Sequence, residues 1–389
     1  MQDTRISPRQ AFCVLVLFLV GSTIIVTPGK VAIRDIWLAV IGSFLLALPL
    51  AVLYIKTIKL THADFYDMQI EFLGPVFGRI SIALFSWFGF HIGSIILREY
   101  TEFIQIDAFP HLEQYVFAIP LTLLSIWCIR SGIHNLGHFC LLAMPVTIFL
   151  LTVNTLFSIN NWNVANLEPI LYDGIKPIVK GSLELLTIPF LEVPMVLAFC
   201  QPMTNTKKMT RWFIGAYALA ALVLMLIYTR NMMVLGDTLV EKYYFPSYEV
   251  VKLASIGRFI EGLQVLAAVV IMIGYYAKIT VFLYAATFGV GKLLKMSTKS
   301  LAAPVGLLFM ALSLFVTKDT PDLLRWVQDV FTPYAVPIGL LLPLILWIAG
   351  TWKEKKRRRN AQPEAAETNP DQGGGQGSTP EETRPEAGA

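Results

Sequence analysis

Charged residues and cysteines are scarce in this 389-residue chain, at 15% charged against 55% hydrophobic residues. A soluble domain typically carries about 25% charged residues, so the low charge argues against one. The four cysteines lie inside apolar runs without metal-type spacing, and we interpret them as buried or lipid-facing side chains. They are Cys13, Cys128, Cys140 and Cys200.

Motifs that support catalysis are also absent. The sequence has no phosphate loop, no Gly-x-Ser-x-Gly, no His-Glu-x-x-His and no Cys-x-x-Cys. We therefore predict a protein that is not an enzyme and that uses no cofactor and no metal. The net charge of +4 is modest, and we predict no nucleic-acid partner.

Hydrophobic residues form continuous blocks long enough to cross a bilayer. Continuous blocks are typical of transmembrane helices, whereas barrel strands alternate. We predict an all-α integral membrane protein with a transmembrane domain over residues 1–352. Residues 353–389 are predicted to form a basic anchor followed by a disordered cytoplasmic tail. The ten predicted spans, numbered in chain order, are 9–28, 36–55, 79–105, 114–130, 134–158, 179–200, 212–235, 259–290, 300–317 and 332–352.

The distribution of lysine and arginine predicts the orientation of the spans. With the N-terminus inside, 18 of these residues lie in inner loops and 10 in outer loops. Cytoplasmic loops carry the excess of positive charge, so we predict that both termini are cytoplasmic. Two long outer loops, 160–180 and 236–258, are predicted to form short interfacial helices.

Span 6 carries a carboxylate between two prolines, at Pro189, Glu192 and Pro194. Proline breaks a helix, and an ionisable group inside lipid is costly and suggests a functional site. We therefore predict that span 6 is interrupted at Glu192. A simple proline kink with Glu192 facing water remains the alternative.

Span 1 is predicted to be interrupted at Gly21, Ser22 and Thr23. Gly21 lies about 17 Å along its span and Glu192 about 18 Å along its own, at about 1.5 Å per residue. Spans 1 and 6 begin two five-helix sets of opposite orientation, and paired broken helices in inverted halves indicate a transporter-type site. The alternative is that Gly21 and Ser22 only allow close helix packing.

Span 3 places His91, Ser94, Arg98 and Glu102 on one helical face, with Glu99 on its flank. These side chains either line a cavity that leads to the broken helices, or Arg98 and Glu102 merely neutralise each other. His91 is either a packed histidine or a proton relay.

Lys278 is an ammonium inside span 8. It either reaches the cytoplasmic surface or pairs with a buried carboxylate such as Glu192. In the second case a fixed ammonium takes the place of a coupling sodium ion, so that no metal is required.

The chain resembles the endospore germination permeases, the B subunits of GerA-type germinant receptors, within the amino acid/polyamine/organocation superfamily. The similarity covers nearly the whole chain up to about Lys353 and depends on the order of its segments more than on any one of them. The segments that carry it are 6–10 with Gly21-Ser22 and Pro28-Gly29, 97–104, 166–170 with Gly174 and Lys180-Gly181, and 245–248 with 259–261.

This resemblance implies a LeuT-like fold built as a 5+5 inverted repeat. It implies a receptor in the bacterial inner spore membrane that senses a small germinant, often an amino acid, with an A-type subunit and a lipoprotein C-type subunit. By position it implies ligand contacts and residues for coupling or gating. The contacts would be Gly21, Ser22, Thr23, Ser94, Ile95, Arg98, Phe190, Leu191 and Glu192, and the coupling or gating residues His91, Glu99, Glu102 and Lys278.

One departure from the family pattern follows Glu261, where this chain has Gly262-Leu263-Gln264 and family members often have an arginine. The apolar residues Phe190, Leu191 and Ile95 favour a small or apolar amino acid as the germinant. A proton- or sodium-coupled amino acid transporter would need nearly the same site, and a scaffold that no longer binds a ligand is a third possibility.

Overall fold

The computed structural model describes residues 6–198, 206–254 and 262–367, and these segments are helical without strands. Eight of their helices are long and apolar enough to cross a membrane. Tyr115–Ser131 is a shorter apolar helix, and span 6 is divided into two pieces, so the ten predicted spans are all present. The predicted tail from residue 368 onward lies outside the described residues, as does Cys200, whereas Cys13, Cys128 and Cys140 are buried.

The helices of the ten spans follow the predicted order. They are Pro8–Val20 with Thr23–Val26, Ile36–Ile58, Phe65–Asp107, Tyr115–Ser131, His134–Phe157, Ile175–Thr187 with Pro194–Leu197, Thr206–Lys242, Gly262–Leu294, Thr298–Phe315, and the series Thr320–Arg325, Phe331–Val336 and Leu342–Glu367. In the last series the helices are joined by the π-helical segments Trp326–Val330 and Pro337–Leu341.

Span 1 begins with a capping box and ends early, as predicted. The Ser7 side chain accepts a hydrogen bond from the Gln10 amide, and the Gln10 side chain accepts one from the Ser7 amide. These bonds satisfy amide groups that would otherwise lack partners at the helix start. The first helix stops at Val20, and a short helix resumes at Thr23.

Span 6 is also interrupted where the sequence predicts. Its outer helix ends at Thr187, Ile188 is extended, and the Ile188–Pro189 peptide is cis. Phe190–Glu192 then forms a short 3₁₀ turn before the helix Pro194–Leu197. The break places the backbone of 188–193 and the Glu192 side chain inside the protein.

Span 3 and the last helix are longer than predicted. Span 3 begins at Phe65, where Asp64 caps the first turn by accepting bonds from the Tyr66 and Asp67 amides. It bends at Gly74, which has a φ of 83°, just before Pro75. The last helix continues through the basic cluster after Lys353 to Glu367, so the anchor and residues 360–367 of the predicted tail are helical.

The outer loops form the short helices that were predicted. Ile159–Asn161 and Val164–Leu167 are 3₁₀ turns in the first long loop. The second loop forms the helix Pro246–Ala254, which we refer to as the outer-loop helix. It packs on the outer end of span 7 and on span 8.

Span 8 runs through the centre of the protein and packs most extensively against span 3. Its backbone meets that of span 1 at two glycines. A Cβ atom on Gly274 would lie 2.8 Å from the Gly21 Cα, and one on Gly21 would lie 3.0 Å from the Gly274 carbonyl oxygen. Only glycines allow the two backbones to approach this closely at the break in span 1.

Candidate functional site

The two broken helices meet at the ammonium group of Lys278. Lys278 Nζ lies 2.7 Å from Glu192 Oε2 of span 6 and donates a hydrogen bond of 3.1 Å to Ser22 Oγ of span 1. Lys278 is fully buried and Glu192 is 1% exposed. Of the alternatives for Lys278, the structure therefore shows the ion pair and not a side chain that reaches the surface.

The surroundings of Lys278 keep water away from the ion pair. The ammonium also lies 5.5 Å from the centre of the buried Phe18 ring, a cation–π distance. A charge in a dry interior is costly unless it is paired, and pairing within a low dielectric is strong for the same reason. The Lys278–Glu192 pair is thus a closely coupled unit that fixes spans 1, 6 and 8 relative to one another.

The span 1 break is anchored through its backbone as well as through Ser22. The Thr23 carbonyl oxygen accepts a hydrogen bond of 2.6 Å from the hydroxyl of Tyr228 in span 7. The Thr23 hydroxyl is fully buried and has no hydrogen-bond partner among the described residues. A polar atom left unsatisfied next to the ion pair is available to a ligand or to a water molecule.

Glu99 is a second buried carboxylate beside this unit. Its Oε1 accepts a hydrogen bond from the hydroxyl of Tyr275 in span 8. Lys278 and Glu192 both lie close enough for their charges to act on it. With two carboxylates and one ammonium, the described site can exchange a proton or accept the ammonium group of a ligand.

Phe190 and Leu191, the residues predicted to contact a ligand beside Glu192, are buried at the span 6 break. The Phe190 ring packs on Tyr217 of span 7 at 5.1 Å between ring centres. Leu191 packs closely against Gly339 of span 10. A Cβ atom added to Gly339 would lie 2.4 Å from the Leu191 carbonyl oxygen. Through the contacts of Phe190 and Leu191, the break in span 6 packs against spans 7 and 10.

Arg98 and Glu102 form a separate network nearer the predicted outer side. Arg98 Nη2 lies 2.6 Å from Glu102 Oε1, and Arg98 Nη1 donates to the Leu314 carbonyl oxygen at 3.1 Å. Glu102 Oε2 accepts a bond from the Thr320 hydroxyl, and its Oε1 accepts one from the Gln114 amide at 2.9 Å. These contacts join span 3 to the connection between spans 9 and 10.

The other predicted residues of span 3 face neighbouring helices. The Ser94 hydroxyl donates to the Phe309 carbonyl oxygen at 3.0 Å, and Ile95 is buried in the core. His91 stacks on Trp87 at 5.6 Å and meets the Tyr334 ring edge-on at 5.4 Å. These contacts make His91 a packed histidine. Of the predicted span 3 residues, the structure thus brings Glu99 alone to the Lys278 unit.

A polar vestibule opens above the break in span 6. Its volume is about 260 Å³, and Thr187 and Ile188 form part of its lining. Charged side chains of both signs surround it, and the Gly29 amide donates to Glu184 Oε2 at 3.2 Å in its wall. The charged lining consists of Lys30, Lys180, Glu184, Glu241 and Asp329. The vestibule therefore brings charged side chains of both signs next to the outer edge of the span 6 break.

Ion pairs join the helices at both ends of the molecule. At the predicted outer side, Lys252 of the outer-loop helix lies 2.5 Å from Asp107 and 2.8 Å from Glu249. Burial works against its charge, but the hydrogen bonds that Lys252 donates to these carboxylates outweigh burial and raise the pKa of Lys252. At the inner side, Lys292 lies 2.6 Å from Asp64. These ion pairs join span 3 to the outer-loop helix at one end and to span 8 at the other.

The sequence reasoning missed several contributors to the site. They are Phe18, Tyr228, Gly274 and Tyr275, and each lies in an apolar span where aromatic residues and glycine are ordinary. A tyrosine hydroxyl inside a bilayer needs a hydrogen-bond partner. This requirement is the one sequence signal that could have pointed to Tyr228 and Tyr275. The described residues contain no group of three or more His, Cys, Asp and Glu side chains that could hold a metal ion.

Comparison with known sequences confirms the resemblance. Residues 5–322 match the family described as spore germination protein. Spore germination protein KB of Bacillus subtilis (strain 168) is 27% identical over 371 residues, which is 94% of this chain and 100% of the relative. Spore germination protein YndE of the same organism is 20% identical, over 90% of this chain and 98% of the relative.

Solved structures confirm a LeuT-like fold. MhsT, solved in complex with L-phenylalanine, matches this chain with a TM-score of 0.66 at 12% sequence identity. The match covers 90% of this chain and 99% of the MhsT chain. Mhp1, a nucleobase-cation-symport-1 family transporter solved in a closed conformation, matches with a TM-score of 0.64 at 10% sequence identity. The match covers 94% of this chain and 95% of the Mhp1 chain. These likenesses establish the overall architecture.

Proposed function

This chain belongs to the spore germination protein family, and from that premise we propose that it is a receptor subunit for a small nutrient germinant. The germinant would be an amino acid that binds at the level of the two helix breaks and triggers germination. The observation that carries the proposal is the buried unit of Ser22, Glu192 and Lys278, where both broken helices meet. MhsT, which shares the fold, was solved with an amino acid bound.

The chemistry of the unit suits a zwitterion. The carboxylate of an amino acid would pair with Lys278 or with backbone amides at a helix break, and its ammonium would pair with Glu192. Residues Gly21, Thr23, Phe190 and Leu191 surround this position and would set the size of the side chain that fits. Ser94, Ile95 and Arg98 would act indirectly, through the helix contacts of span 3.

Binding would work by shifting a population of states. In this structure Lys278 and Glu192 form an ion pair, so a ligand that inserts between them must replace that pairing with its own charges. A ligand shifts the equilibrium only by the difference between its affinities for the two states. Residues Glu99, Glu102 and His91 would then transmit or gate the rearrangement of spans 1, 3 and 6.

Coupling to sodium is not required by this arrangement, because the Lys278 ammonium supplies a positive charge beside the break. We further propose that the protein lies in the inner spore membrane with both termini in the cytoplasm. There it would signal to an A-type subunit and a lipoprotein C-type subunit. Residues 1–352 would form the transmembrane domain, followed by a basic anchor and a disordered tail.

A proton-coupled or sodium-coupled amino acid transporter is the second candidate. The observation in its favour is the likeness to transporters such as Mhp1, together with a site that contains two carboxylates near the ammonium. In this reading Glu99 or Glu192 would carry the coupled proton. A scaffold without ligand binding would leave the buried ion pair without a functional role.

One pair of measurements separates these functions. Spores that carry Glu192→Gln or Phe190→Ala are expected to lose most of their response to an amino acid germinant, because each change alters the predicted contact surface. Uptake of labelled amino acid into vesicles that contain the isolated chain is expected to stay at background.

Matched controls are available on the exposed surface of the same protein. Glu113→Gln and Phe149→Ala change the same residue types at exposed positions and should germinate normally. Robust uptake by the isolated chain would overturn the receptor reading in favour of transport. A normal response of both site variants would overturn the site assignment.

A further inference from the structure

A second cation lies buried in span 7, away from the Lys278 unit. Arg230 is 2% exposed, and no carboxylate of the described residues lies within 4 Å of its guanidinium group. By contrast, the buried arginine of span 3, Arg98, is paired with Glu102. An unpaired charge at this depth is costly, and natural proteins retain one mainly where it has a counter-charge to bind.

The hydrogen bonds that Arg230 makes with the described residues use only some of the N–H donors of its guanidinium group. Its Nε and Nη2 donate to Asn231 Oδ1 at 3.2 and 2.8 Å, and Nη2 makes a long contact of 3.4 Å with the Ser247 carbonyl oxygen. Guanidinium has five N–H donors, and these neutral acceptors do not neutralise its charge. The group is held in place, but no described carboxylate balances its charge.

Arg230 lines a small cavity between spans 1, 5, 7 and 8 and the outer-loop helix. The centre of a water-sized sphere can occupy about 20 Å³ of it, which is room for one water molecule or one ion of similar size. Asn154, which is 3% exposed, also lines it, and its Oδ1 has no hydrogen-bond partner among the described residues. The remaining lining is mostly aliphatic, including Ile24, Ile227 and Val270.

We infer that this cavity is a binding site for a small monovalent anion of the size of chloride. The Arg230 guanidinium supplies the charge, and the Asn154 amide can turn by 180° to present its Nδ2 donors. The small volume excludes an amino acid, and the surrounding aliphatic side chains strengthen the attraction of one anion to one cation.

The site is connected to the break in span 1. The Ser247 hydroxyl lines the cavity, accepts a bond of 2.8 Å from the Asn231 amide and donates one to the Ile24 carbonyl oxygen. Ile24 belongs to the short helix Thr23–Val26, which follows Ser22. An anion at Arg230 therefore stabilises the arrangement in which the outer-loop helix holds the outer half of span 1.

The experiment is thermal unfolding of the purified full chain in lipid nanodiscs at constant sodium and ionic strength. The anion is chloride, formate or gluconate, and gluconate is too large for the cavity. Chloride is expected to raise the midpoint above that in gluconate by at least about 2 °C, because a ligand that binds only the folded state stabilises it. The increment should persist in Arg325→Gln, a control at an exposed outer arginine, and disappear in Arg230→Gln.

A second variant and a second anion test the chloride site further. If Arg230→Gln does not fold, Arg230→Lys retains the charge and should bind radiolabelled chloride more weakly than the unchanged chain. An unchanged midpoint on replacing gluconate by chloride, or an equal increment in Arg230→Gln, would overturn the inference. A rise with formate but not with chloride would also overturn it and would assign the cavity to a carboxylate.

Discussion

Replacing Lys278 with methionine is expected to lower the free energy of unfolding by about 3–5 kcal/mol. The substitution leaves Glu192 as an uncompensated carboxylate that is 1% exposed, between two helix breaks and without access to water. It also removes the hydrogen bond to Ser22 and the contact with Phe18. Denaturant titration of the purified chain in mixed micelles measures the change.

A double variant at Glu192 and Lys278 separates the effect of losing the ion pair from the effect of changed side-chain packing. Glu192→Gln together with Lys278→Met removes both charges, and we expect it to recover much of the loss, because apolar or neutral replacements of a buried pair are often tolerated. Lys180→Met is the matched control, because the Lys180 side chain is 65% exposed and its Nζ lies 3.8 Å from a Glu184 oxygen. This substitution should lower the free energy of unfolding by at most about 1 kcal/mol. If the double variant were no more stable than Lys278→Met, the ion pair would not explain the cost.

Replacing Gly21 with alanine is expected to destabilise the fold by about 1–3 kcal/mol, because the new methyl group has no space. The added Cβ would lie 2.9 Å from the Leu17 carbonyl oxygen and 3.0 Å from that of Gly274. Backbone atoms of two packed helices cannot move aside as a flexible side chain does. Spans 1 and 8 would have to separate, which would also lengthen the contact between Ser22 and Lys278.

Gly215→Ala is the matched control for this crossing. Its added Cβ would lie 3.6 Å from the Phe12 ring, an ordinary contact. Within a helix, glycine costs roughly 1 kcal/mol relative to alanine, so this variant should be neutral or more stable. Equal unfolding midpoints for Gly21→Ala and Gly215→Ala, measured under the same conditions, would show that the two helices do not depend on the close approach.

The clearest agreement between sequence and structure concerns the two breaks. Proline, glycine and a charge act on the local backbone, because each changes hydrogen bonding or hydration within a few residues of itself. The interruption at Gly21 and Ser22 and the one at Glu192 were therefore predictable without any knowledge of neighbouring spans. The early start of span 3 at Phe65 was missed because Gly74 and Pro75 bend the helix there without ending it.

The span 3 residues show where periodicity stops being informative. His91, Ser94, Arg98 and Glu102 share one face by spacing, and the sequence suggested one common lining. In the structure that face is divided among Trp87 and Tyr334, Phe309, and the connection between spans 9 and 10. Helical spacing fixes which residues point the same way, but the neighbouring helices determine what each of them meets.

Sequence alone determined that this protein is a ten-span helical membrane protein of the germination family with breaks at Gly21-Ser22 and Glu192. Apolar length, proline chemistry and the cost of a buried charge are properties that each segment carries by itself. Only the tertiary structure decided between the alternatives for Lys278, brought Glu99 to it through Tyr275, and left Arg230 unpaired by the described carboxylates. The physical reason is that the partner of a buried charge is chosen by the packing of distant spans, which no local pattern encodes.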